Sequence, residues 1–289
     1  MKPSAFHYEK PSSLDGLLDV MGKHGEAARI LAGGQSLVPM MNFRLATPEV
    51  LIDINGLSEL DYIRQDGDSL SIGALTRHNV IYDSPLVAEL SPLMAEAYKH
   101  VAHTTIRNRG TIGGNLSHAD PSSELPAVCI CLEGHMILRS KQGTREVPAG
   151  EFFLGALETA IQPGEFLAEI KIPVRKPGVG SAFEEVSPRR GDFATTAVAA
   201  TLQIDGGICQ TARIAHAAVA DRPARIESAE AVLEGSALDK ARINQAAEIA
   251  ASETEPSLIN YHGDADYKRD LLRALTKRAL QRASENSVN

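Results

Sequence analysis

Cysteine is scarce in this chain of 289 residues, which contains only Cys129, Cys131 and Cys209. An odd number of cysteines, two of them close together, argues against a disulfide framework. Iron–sulfur clusters usually need four thiolates, and structural zinc sites need four nitrogen or sulfur ligands. The nine histidines show no metal-ligand spacing such as H-E-x-x-H. We therefore interpret the cysteines as small buried side chains, predict no metal bound by this chain, and expect any redox metal to lie on another chain.

The chain also lacks an excess of positive charge and long apolar runs. Its formal net charge is −8, which argues against a nucleic-acid partner because phosphates are bound by basic surfaces. No stretch approaches the ~20 consecutive apolar residues of a membrane span. The N-terminal stretch MKPSAFHYEKPSS has no apolar signal core. We therefore expect a cytoplasmic protein with no membrane span.

Common nucleotide-binding and hydrolase motifs are missing as well. The sequence contains neither G-x-G-x-x-G nor G-x-x-x-x-G-K-[ST], the glycine patterns of Rossmann turns and P-loops. It also lacks the G-x-S-x-G nucleophile elbow. The sequence therefore gives no support to those nucleotide-binding modes or to hydrolysis.

The apolar pattern of the first 177 residues predicts a mixture of helices and strands. Leu14, Leu17, Leu18 and Met21 recur at helical spacing behind Ser12-Ser13, either of which is a good helix N-cap. A second helix is predicted within Ser91–Lys99. Short strands are predicted in ARILAG, PEVLIDINGL, SLSIGAL, HMILRS, REVPAG and EFLAEIKIPV.

A domain boundary is predicted in VRKPGVGS, Val174–Ser181, because proline and glycine interrupt any periodic element there. We place the two domains at residues 1–177 and 178–289. In the second domain, FATTAVAATLQI and GICQTARIAHAAVA are joined by Asp205-Gly206-Gly207 and predict an antiparallel hairpin. Helical patterns follow at residues 226–233, 238–253 and 264–283.

Two glycine segments stand out from these patterns. The first, AGGQS (Ala32–Ser36), lies at the end of the strand ARILAG. The second, TIGGN (Thr111–Asn115), lies in a long polar stretch, Thr104–Leu132, which interrupts the apolar pattern and which we interpret as the second half of a site. Each is expected to offer consecutive free backbone N–H groups, and such concave nests bind phosphate oxygens. Two nests would suit a diphosphate. The alternative is that both glycine pairs mark bulges or tight turns, which is the better interpretation of a single pair.

Three sequence blocks together resemble a known family. They are AGGQSLVPMMNFRLATPEVLIDIN, IRNRGTIGGNLSHADPSSELPA and RRGDFATTAVAA, and in this order they resemble the FAD-binding medium subunit of the molybdenum hydroxylases, the carbon monoxide dehydrogenase and xanthine dehydrogenase family. The resemblance covers nearly the whole chain. It implies an α+β fold: a two-subdomain FAD-binding domain of the vanillyl-alcohol-oxidase-like type, divided near residue 55, followed by a smaller C-terminal domain with an antiparallel sheet and helices.

The same resemblance implies a set of FAD-binding residues. The two glycine segments correspond to the family's diphosphate loops, His118 and Glu124 to positions near the ribityl and diphosphate groups, Val101 to one near the adenine, and Leu167 to one packed by the ring system. Phe193 corresponds to an aromatic brought to the flavin by the second domain, although a core phenylalanine on a strand is an alternative. The full set is Leu31, Ala32, Gly33, Gly34, Gln35, Ser36, Leu37, Val38, Val101, Thr111, Ile112, Gly113, Gly114, Asn115, His118, Glu124, Leu167 and Phe193.

Some positions depart from the family pattern. Gln35 is often histidine in relatives, and Glu124 is commonly aspartate. Some relatives carry a lysine just after the aromatic of SAFEEV, where this chain has Glu184 and Glu185. A missing cation near the ring would alter the potential of a bound flavin.

The function implied by the resemblance is electron transfer. FAD, bound noncovalently because neither glycine segment contains cysteine, would receive electrons from two [2Fe–2S] clusters on a small subunit and pass them to an external acceptor. Substrate would be oxidised at a molybdopterin-bound molybdenum on a large subunit, in a dimer of heterotrimers. The glycine segments and Pro121–Pro126 are the expected contact with the electron donor. No catalytic acid or base is expected on this chain, because the cofactor carries the chemistry.

Two other functions are open. One is a free-standing flavin oxidoreductase with its own organic substrate, which would need a positioned arginine, acid or base; Arg107, Arg109 and Arg190 are the candidates. The other is a non-catalytic scaffold in which the glycine pairs are plain turns. Flavin reduction by a small substrate without partners would favour the first, and failure to bind FAD would favour the second.

Overall fold

The structure is a computed structural model that describes residues 1–257 and 263–287. Residues 258–262 and 288–289, which include His262 and the end of the predicted second domain, lie outside the described residues. Within the described ranges, no helix has the length and apolar character needed to cross a membrane.

The chain begins with a small parallel sheet and two helices. In chain order these are β1 (His7–Glu9), α1 (Leu14–His24), β2 (Ala28–Leu31), α2 (Leu37–Asn42) and β3 (Val50–Asp53). Strand β3 lies between β1 and β2 and is parallel to both, with Ile30 opposite Ile52. The predicted helix α1 is confirmed: the Ser13 hydroxyl accepts a hydrogen bond from the N–H of Gly16, and Leu17 is buried.

A five-stranded antiparallel sheet with short helices follows. In chain order the elements of this part are β4 (Ile63–Asp66), β5 (Ser69–Gly73), α3 (His78–Tyr82), α4 (Pro85–Leu90), α5 (Pro92–Ala97), α6 (Thr104–Arg107), α7 (Ile112–His118), α8 (Glu124–Cys131), β6 (His135–Ser140), β7 (Gly143–Pro148), α9 (Ala149–Phe152), β8 (Phe153–Gly155), β9 (Glu158–Thr159) and β10 (Phe166–Pro173). The strand order is β4-β5-β10-β6-β7. Strands β8 and β9 pair with each other in a separate two-stranded sheet. The predicted strands β5, β6, β7 and β10 are confirmed, as is the helix α5.

The polar stretch Thr104–Leu132, which interrupts the apolar pattern of the sequence, is largely helical and forms α6, α7 and α8. All residues of α8 are buried, so its sequence ELPAVCIC is apolar on every side and shows no helical period. Helix α7 carries the second glycine segment. It starts after Thr111, whose hydroxyl accepts a hydrogen bond from the N–H of Gly114 (3.1 Å).

The last part is an antiparallel sheet covered by helices. Its elements are β11 (Val179–Val186), β12 (Thr196–Asp205), β13 (Ile208–Ala217), β14 (Ala224–Arg225), α10 (Glu227–Ala231), α11 (Lys240–Glu253) and α12 (Ala265–Asn286), with strand order β11-β12-β13-β14. The predicted hairpin is confirmed: Asp205 pairs with Ile208, and Gly206 and Gly207 have φ of 56° and 80°. The predicted boundary after residue 177 falls in the connection between β10 and β11.

The two faces of this sheet pack against different parts of the chain. Val198 and Ile214 face the core formed with α11 and α12. Ala197 and Ala215 face the opposite way and belong to the same core as Cys129 on α8. Side chains alternate along a strand, and the small alanines allow the buried helix α8 to approach the sheet closely. The C-terminal sheet therefore covers one side of the region that contains the second glycine segment.

Candidate functional site

The first glycine segment connects β2 to α2 and presents free backbone donors. Gly34 has φ of 73°, a left-handed conformation that favours glycine. In the part of the chain that the structure describes, the N–H groups of the five consecutive residues 33–37 have no hydrogen-bond acceptor. The side chain of Gln35 donates instead to the carbonyl of Gly33 (3.2 Å). This segment therefore has the free donors that were predicted for it.

The second glycine segment differs from its prediction, because its N–H groups are already bonded. The N–H of Ile112 donates to the Thr76 carbonyl (3.1 Å) and that of Gly113 to the Ala74 carbonyl (2.9 Å), while Gly114 donates to Thr111 as described above. The expectation of a free second nest is therefore wrong. Gly113 is required by packing, since a Cβ atom at this position would be 2.7 Å from the Ala74 carbonyl oxygen.

The structure brings the two glycine segments together. A Cβ atom at Gly33 would be 2.7 Å from the Cα atom of Gly110, just before the second segment. A Cβ atom at Gly114, which is exposed, would be 3.9 Å from the Cβ atom of Ala32. Residues that are 77 and 82 positions apart in the chain therefore form one surface, with the free donors on the first segment.

Two residues that the sequence did not single out, Asn55 and Arg77, join the segments. The Asn55 side-chain amide donates to the Ala32 carbonyl (2.9 Å), and its oxygen accepts from Arg77 Nη2 (2.6 Å). Arg77 Nη1 donates to the Arg109 carbonyl. The Asn-Gly pair at position 55 indicated only a turn, and no pattern in the sequence marked Arg77.

The predicted residues outside the glycine segments have varied environments. Val101 and Leu167 are buried in the main core. Half-buried His118 ends α7, and burial lowers the pKa of its imidazole. Glu124 begins α8 and is buried, and burial together with the charge of Glu185 raises its pKa to about 8. The structure thus leaves little accessible surface on Val101, Leu167 and Glu124.

Phe193 lies in the loop before β12 and is 52% exposed, so the alternative of a core phenylalanine on a strand is wrong. On one side of it, a Cβ atom at Gly191 would be 3.0 Å from the His103 ring. On the other side, the N–H of Ala194 donates to the Ser122 carbonyl (3.3 Å). The loop therefore crosses from the C-terminal sheet onto the first domain, as predicted.

The two glutamates of SAFEEV point to opposite sides of β11. Glu184 forms ion pairs with Arg278 (2.8 Å) and Arg282 (2.6 Å) of α12. The Glu185 side chain is fully buried, 3.7 Å from His100 Nδ1, and neither of its oxygens accepts a hydrogen bond from any described residue. The negative charge of Glu184 is therefore balanced by two arginines of the C-terminal domain. Glu185 instead adds a buried carboxyl group without a hydrogen-bond donor among the described residues.

The three cysteines are buried. Burial raises the pKa of Cys129 and Cys131 to about 12 and that of Cys209 to about 11. The prediction of small buried thiols is confirmed. Among the described residues, no group of three or more histidine, cysteine, aspartate or glutamate side chains could hold a metal ion.

Comparison with known proteins identifies the family. Residues 4–175 match the FAD binding domain in molybdopterin dehydrogenase, and residues 181–283 match the CO dehydrogenase flavoprotein C-terminal domain. The chain belongs to the FAD-binding medium subunits of the molybdopterin dehydrogenases. It is thus the flavoprotein subunit of a molybdenum hydroxylase complex, an oxidoreductase. The α+β class, with an FAD-binding domain followed by a C-terminal domain of antiparallel sheet and helices, is confirmed.

Members of this family are similar to the chain over its full length. The carbon monoxide dehydrogenase medium chain of Hydrogenophaga pseudoflava is 40% identical over 98% of both chains. The caffeine dehydrogenase subunit beta of Pseudomonas sp. (strain CBB1) is 38% identical, covering 100% of this chain and 98% of the relative. Among solved structures, carbon monoxide dehydrogenase from H. pseudoflava has a TM-score of 0.96 at 42% identity, covering 99% of both chains. Quinoline 2-oxidoreductase from Pseudomonas putida 86 has a TM-score of 0.94 at 38% identity, covering 100% of both.

Proposed function

We propose that this chain carries one noncovalent FAD and passes electrons from two [2Fe–2S] clusters of a small partner subunit to an external acceptor. Substrate is oxidised at molybdopterin-bound molybdenum on a large partner subunit, and the complex is a cytoplasmic dimer of heterotrimers. The observation that carries the proposal is the juxtaposition of the two glycine segments, with free donors, in a chain similar end to end to medium chains of such complexes. When bound, the flavin ring supplies the electron-accepting and electron-donating chemistry.

The donors of the first glycine segment fit the diphosphate of FAD. Consecutive backbone N–H groups bind phosphate oxygens, and residues 33–37 offer such groups without a protein acceptor among the described residues. Gly114, opposite Ala32, leaves the space next to them open. In this proposal Leu31–Val38 and Thr111–Asn115 hold the diphosphate, and His118, Glu124, Val101 and Leu167 line the rest of the cofactor site.

Phe193 is proposed to contact the flavin ring from the C-terminal domain. It is an exposed aromatic side chain in a loop anchored to the first domain at Ser122 and His103. Aromatic rings pack well against one another in offset or edge-to-face arrangements. Its role is to cover the ring and limit access of water.

An exposed apolar surface next to the first glycine segment supports docking of a partner. Val38, Phe43 and Leu45, close together in the sequence, are 40%, 62% and 76% exposed, and large exposed apolar patches mark interaction surfaces. We call these three residues the apolar rim. Pro121–Pro126, the other segment expected at this contact, is buried beneath the C-terminal domain. The partner contact is therefore proposed at the apolar rim.

The free-standing oxidoreductase gains no support from Arg107, one of its three candidate arginines. The guanidinium of Arg107 donates to the carbonyls of Val101 (3.0 Å) and Ala102 (2.7 Å) and stacks on Tyr82, 4.6 Å from the ring centroid. These contacts are structural. The backbone carbonyl of Arg109 accepts a hydrogen bond from the Arg77 guanidinium.

The proposal is tested by co-expressing the chain with its candidate partner chains and purifying the complex. We expect molybdenum, iron and FAD to co-purify, and substrate to reduce the flavin only in the complete complex. Reduction of the flavin by an organic substrate in the isolated chain would overturn the electron-relay function and favour the free-standing oxidoreductase.

A further inference from the structure

The Asn55 side chain links the first glycine segment to Asp53 and to Arg77. Its amide nitrogen donates to the carbonyls of Ala32 (2.9 Å) and Leu31 (3.4 Å), and its oxygen accepts from Arg77. Its backbone N–H donates to Asp53 Oδ1 (2.8 Å), and the amide nitrogen also donates to that oxygen (2.6 Å). The amide is therefore fixed in one orientation, with one donor directed at the glycine segment and the other at Asp53.

This orientation determines where the free N–H groups point. In a trans peptide the C=O and the following N–H point in opposite directions, and no cis peptide occurs in the described chain. The Ala32 carbonyl points to Asn55, so the N–H of Gly33 points away from it. In the same way the Gly33 carbonyl points to the Gln35 amide, so the N–H of Gly34 points away from that side chain. Asn55 and Gln35 thus turn the donors outward.

Arg77 fixes the second glycine segment relative to the first. One guanidinium nitrogen donates to Asn55 and the other to the Arg109 carbonyl, next to the point where Gly33 touches Gly110. The planar guanidinium provides two donors in a rigid fork, so Arg77 sets the separation of the two segments. It is the side chain that bridges them.

The charges around Arg77 favour an anion. Burial and the charge of Arg109 both lower the pKa of Arg77, partly offset by Asp61 and Asp53. The two arginine cations are therefore near enough to repel each other. The Arg77 guanidinium lies at the junction of the two glycine segments, where its positive charge would attract an anion.

We propose that Asn55 and Arg77 are positioning residues for the diphosphate of FAD. Asn55 orients the donors of the first segment, and Arg77 holds the second segment against it and supplies positive charge. This inference rests on the proposed FAD site and extends it to residues outside both glycine segments.

The test is titration of FAD, and of ADP as a probe of the diphosphate half, onto the flavin-depleted complex with variants of this chain. Asn55→Asp keeps an acceptor for Arg77 but removes the amide donor to Ala32. Arg77→Met removes the two guanidinium donors and the positive charge. We expect each to raise the dissociation constants of FAD and ADP by about tenfold or more. Arg77→Lys keeps the positive charge but not the paired guanidinium donors, so its dissociation constants should lie between those of the parent and of Arg77→Met. Arg242→Met on α11, an exposed residue of the C-terminal domain, is the charge-matched control and should change little.

Salt dependence separates positioning from a general structural role. Raising the ionic strength should weaken FAD binding by the parent and by Arg77→Lys more than binding by Arg77→Met, because only the first two keep the cation. Unfolding curves establish that the variants are folded. Unchanged FAD affinity in folded Asn55→Asp and Arg77→Met would overturn the inference. So would variants whose affinity for FAD falls while their affinity for ADP does not. A parent complex that binds no FAD would instead overturn the proposed function.

Discussion

Gly33 touches the chain at Gly110, with the position of its missing Cβ atom only 2.7 Å from the Gly110 Cα atom. Its neighbour Gly34 has a different task, since its φ of 73° is in the left-handed region. One glycine allows two segments to meet, and the next allows the backbone to turn its N–H groups outward. The glycine pair is thus explained by packing and conformation before any ligand is considered.

Gly113→Ala should destabilise the fold. The added Cβ atom would be 2.7 Å from the Ala74 carbonyl oxygen, and such overpacking costs roughly 1–3 kcal/mol. Denaturant unfolding of the isolated chain measures the loss. Gly150→Ala is the matched control, because its Cβ atom would have no neighbour within 4 Å; it should be neutral or slightly stabilising. Equal stabilities for the two variants would contradict the packing role of Gly113.

Gly114→Val should abolish FAD binding with a smaller effect on the fold. Gly114 is exposed, and its side chain would enter the space opposite Ala32, 3.9 Å away. The nearest atom is the Thr111 hydroxyl oxygen, 2.9 Å from the added Cβ atom, so a local shift is expected as well. Flavin content of the purified complex is the measurement. Full flavin occupancy in this variant would remove Gly114 from the cofactor site.

Local signals made some elements predictable from the sequence. Helix α1 has its apolar period and its Ser13 cap within one short stretch, and the hairpin turn is marked by Gly206-Gly207. Helix α7 was missed because Gly113 and Gly114 lower helix propensity by about 1 kcal/mol each. It is held by tertiary hydrogen bonds to the carbonyls of Thr76 and Ala74, which no local pattern reveals.

The glycine segments of the candidate site were predictable, but the residues that join them were not. Asn55 and Arg77 are 22 positions apart, and Arg77 reaches a carbonyl 32 positions further along the chain. Such contacts depend on how β3, β5 and the following helices pack. The same holds for Glu185, whose burial beside Glu124 follows from the packing of β11 on the first domain.

Acid or heat precipitation should release all flavin from the purified complex. The three cysteines are buried, and burial raises the pKa of each thiol. They therefore stay protonated, and because the thiolate is the nucleophile, they are poorly suited to form a covalent link to the flavin. The first glycine segment contains neither cysteine nor histidine. Absorbance of the supernatant and of the redissolved pellet measures the outcome. Flavin retained on the denatured chain would show a covalent link, for which His103 and His118 would be the residues to replace.

Stability should fall as the pH rises toward 8 because of Glu124. Burial and the charge of Glu185 raise its pKa from 4.5 to about 8, so the folded state binds more protons than the unfolded state between these values. Its contribution to stability is therefore fully present below about 4.5 and is lost as the pH rises through about 8. Glu124→Gln should flatten this part of the profile of unfolding free energy against pH. Exposed Glu151→Gln is the control and should follow the parent, and a parent-like slope in Glu124→Gln would contradict the assignment.

FAD should bind more tightly to the complete complex than to the isolated chain. The first glycine segment leads directly into the apolar rim, where Phe43 and Leu45 are 62% and 76% exposed. A partner that covers the rim would hold the free N–H groups in place before FAD arrives, and such coupling between two binding events is typically worth 5- to 150-fold in affinity, or about 1–3 kcal/mol. Titration of FAD onto the isolated chain and onto the complex, with flavin fluorescence as the signal, measures this ratio. Leu45→Glu should weaken both assembly and FAD retention, whereas Ile208→Glu, at the hairpin of the C-terminal sheet and 37% exposed in the parent, should leave both unchanged. Equal FAD affinities in the isolated chain and the complex would show that the glycine segments are fully organised without a partner.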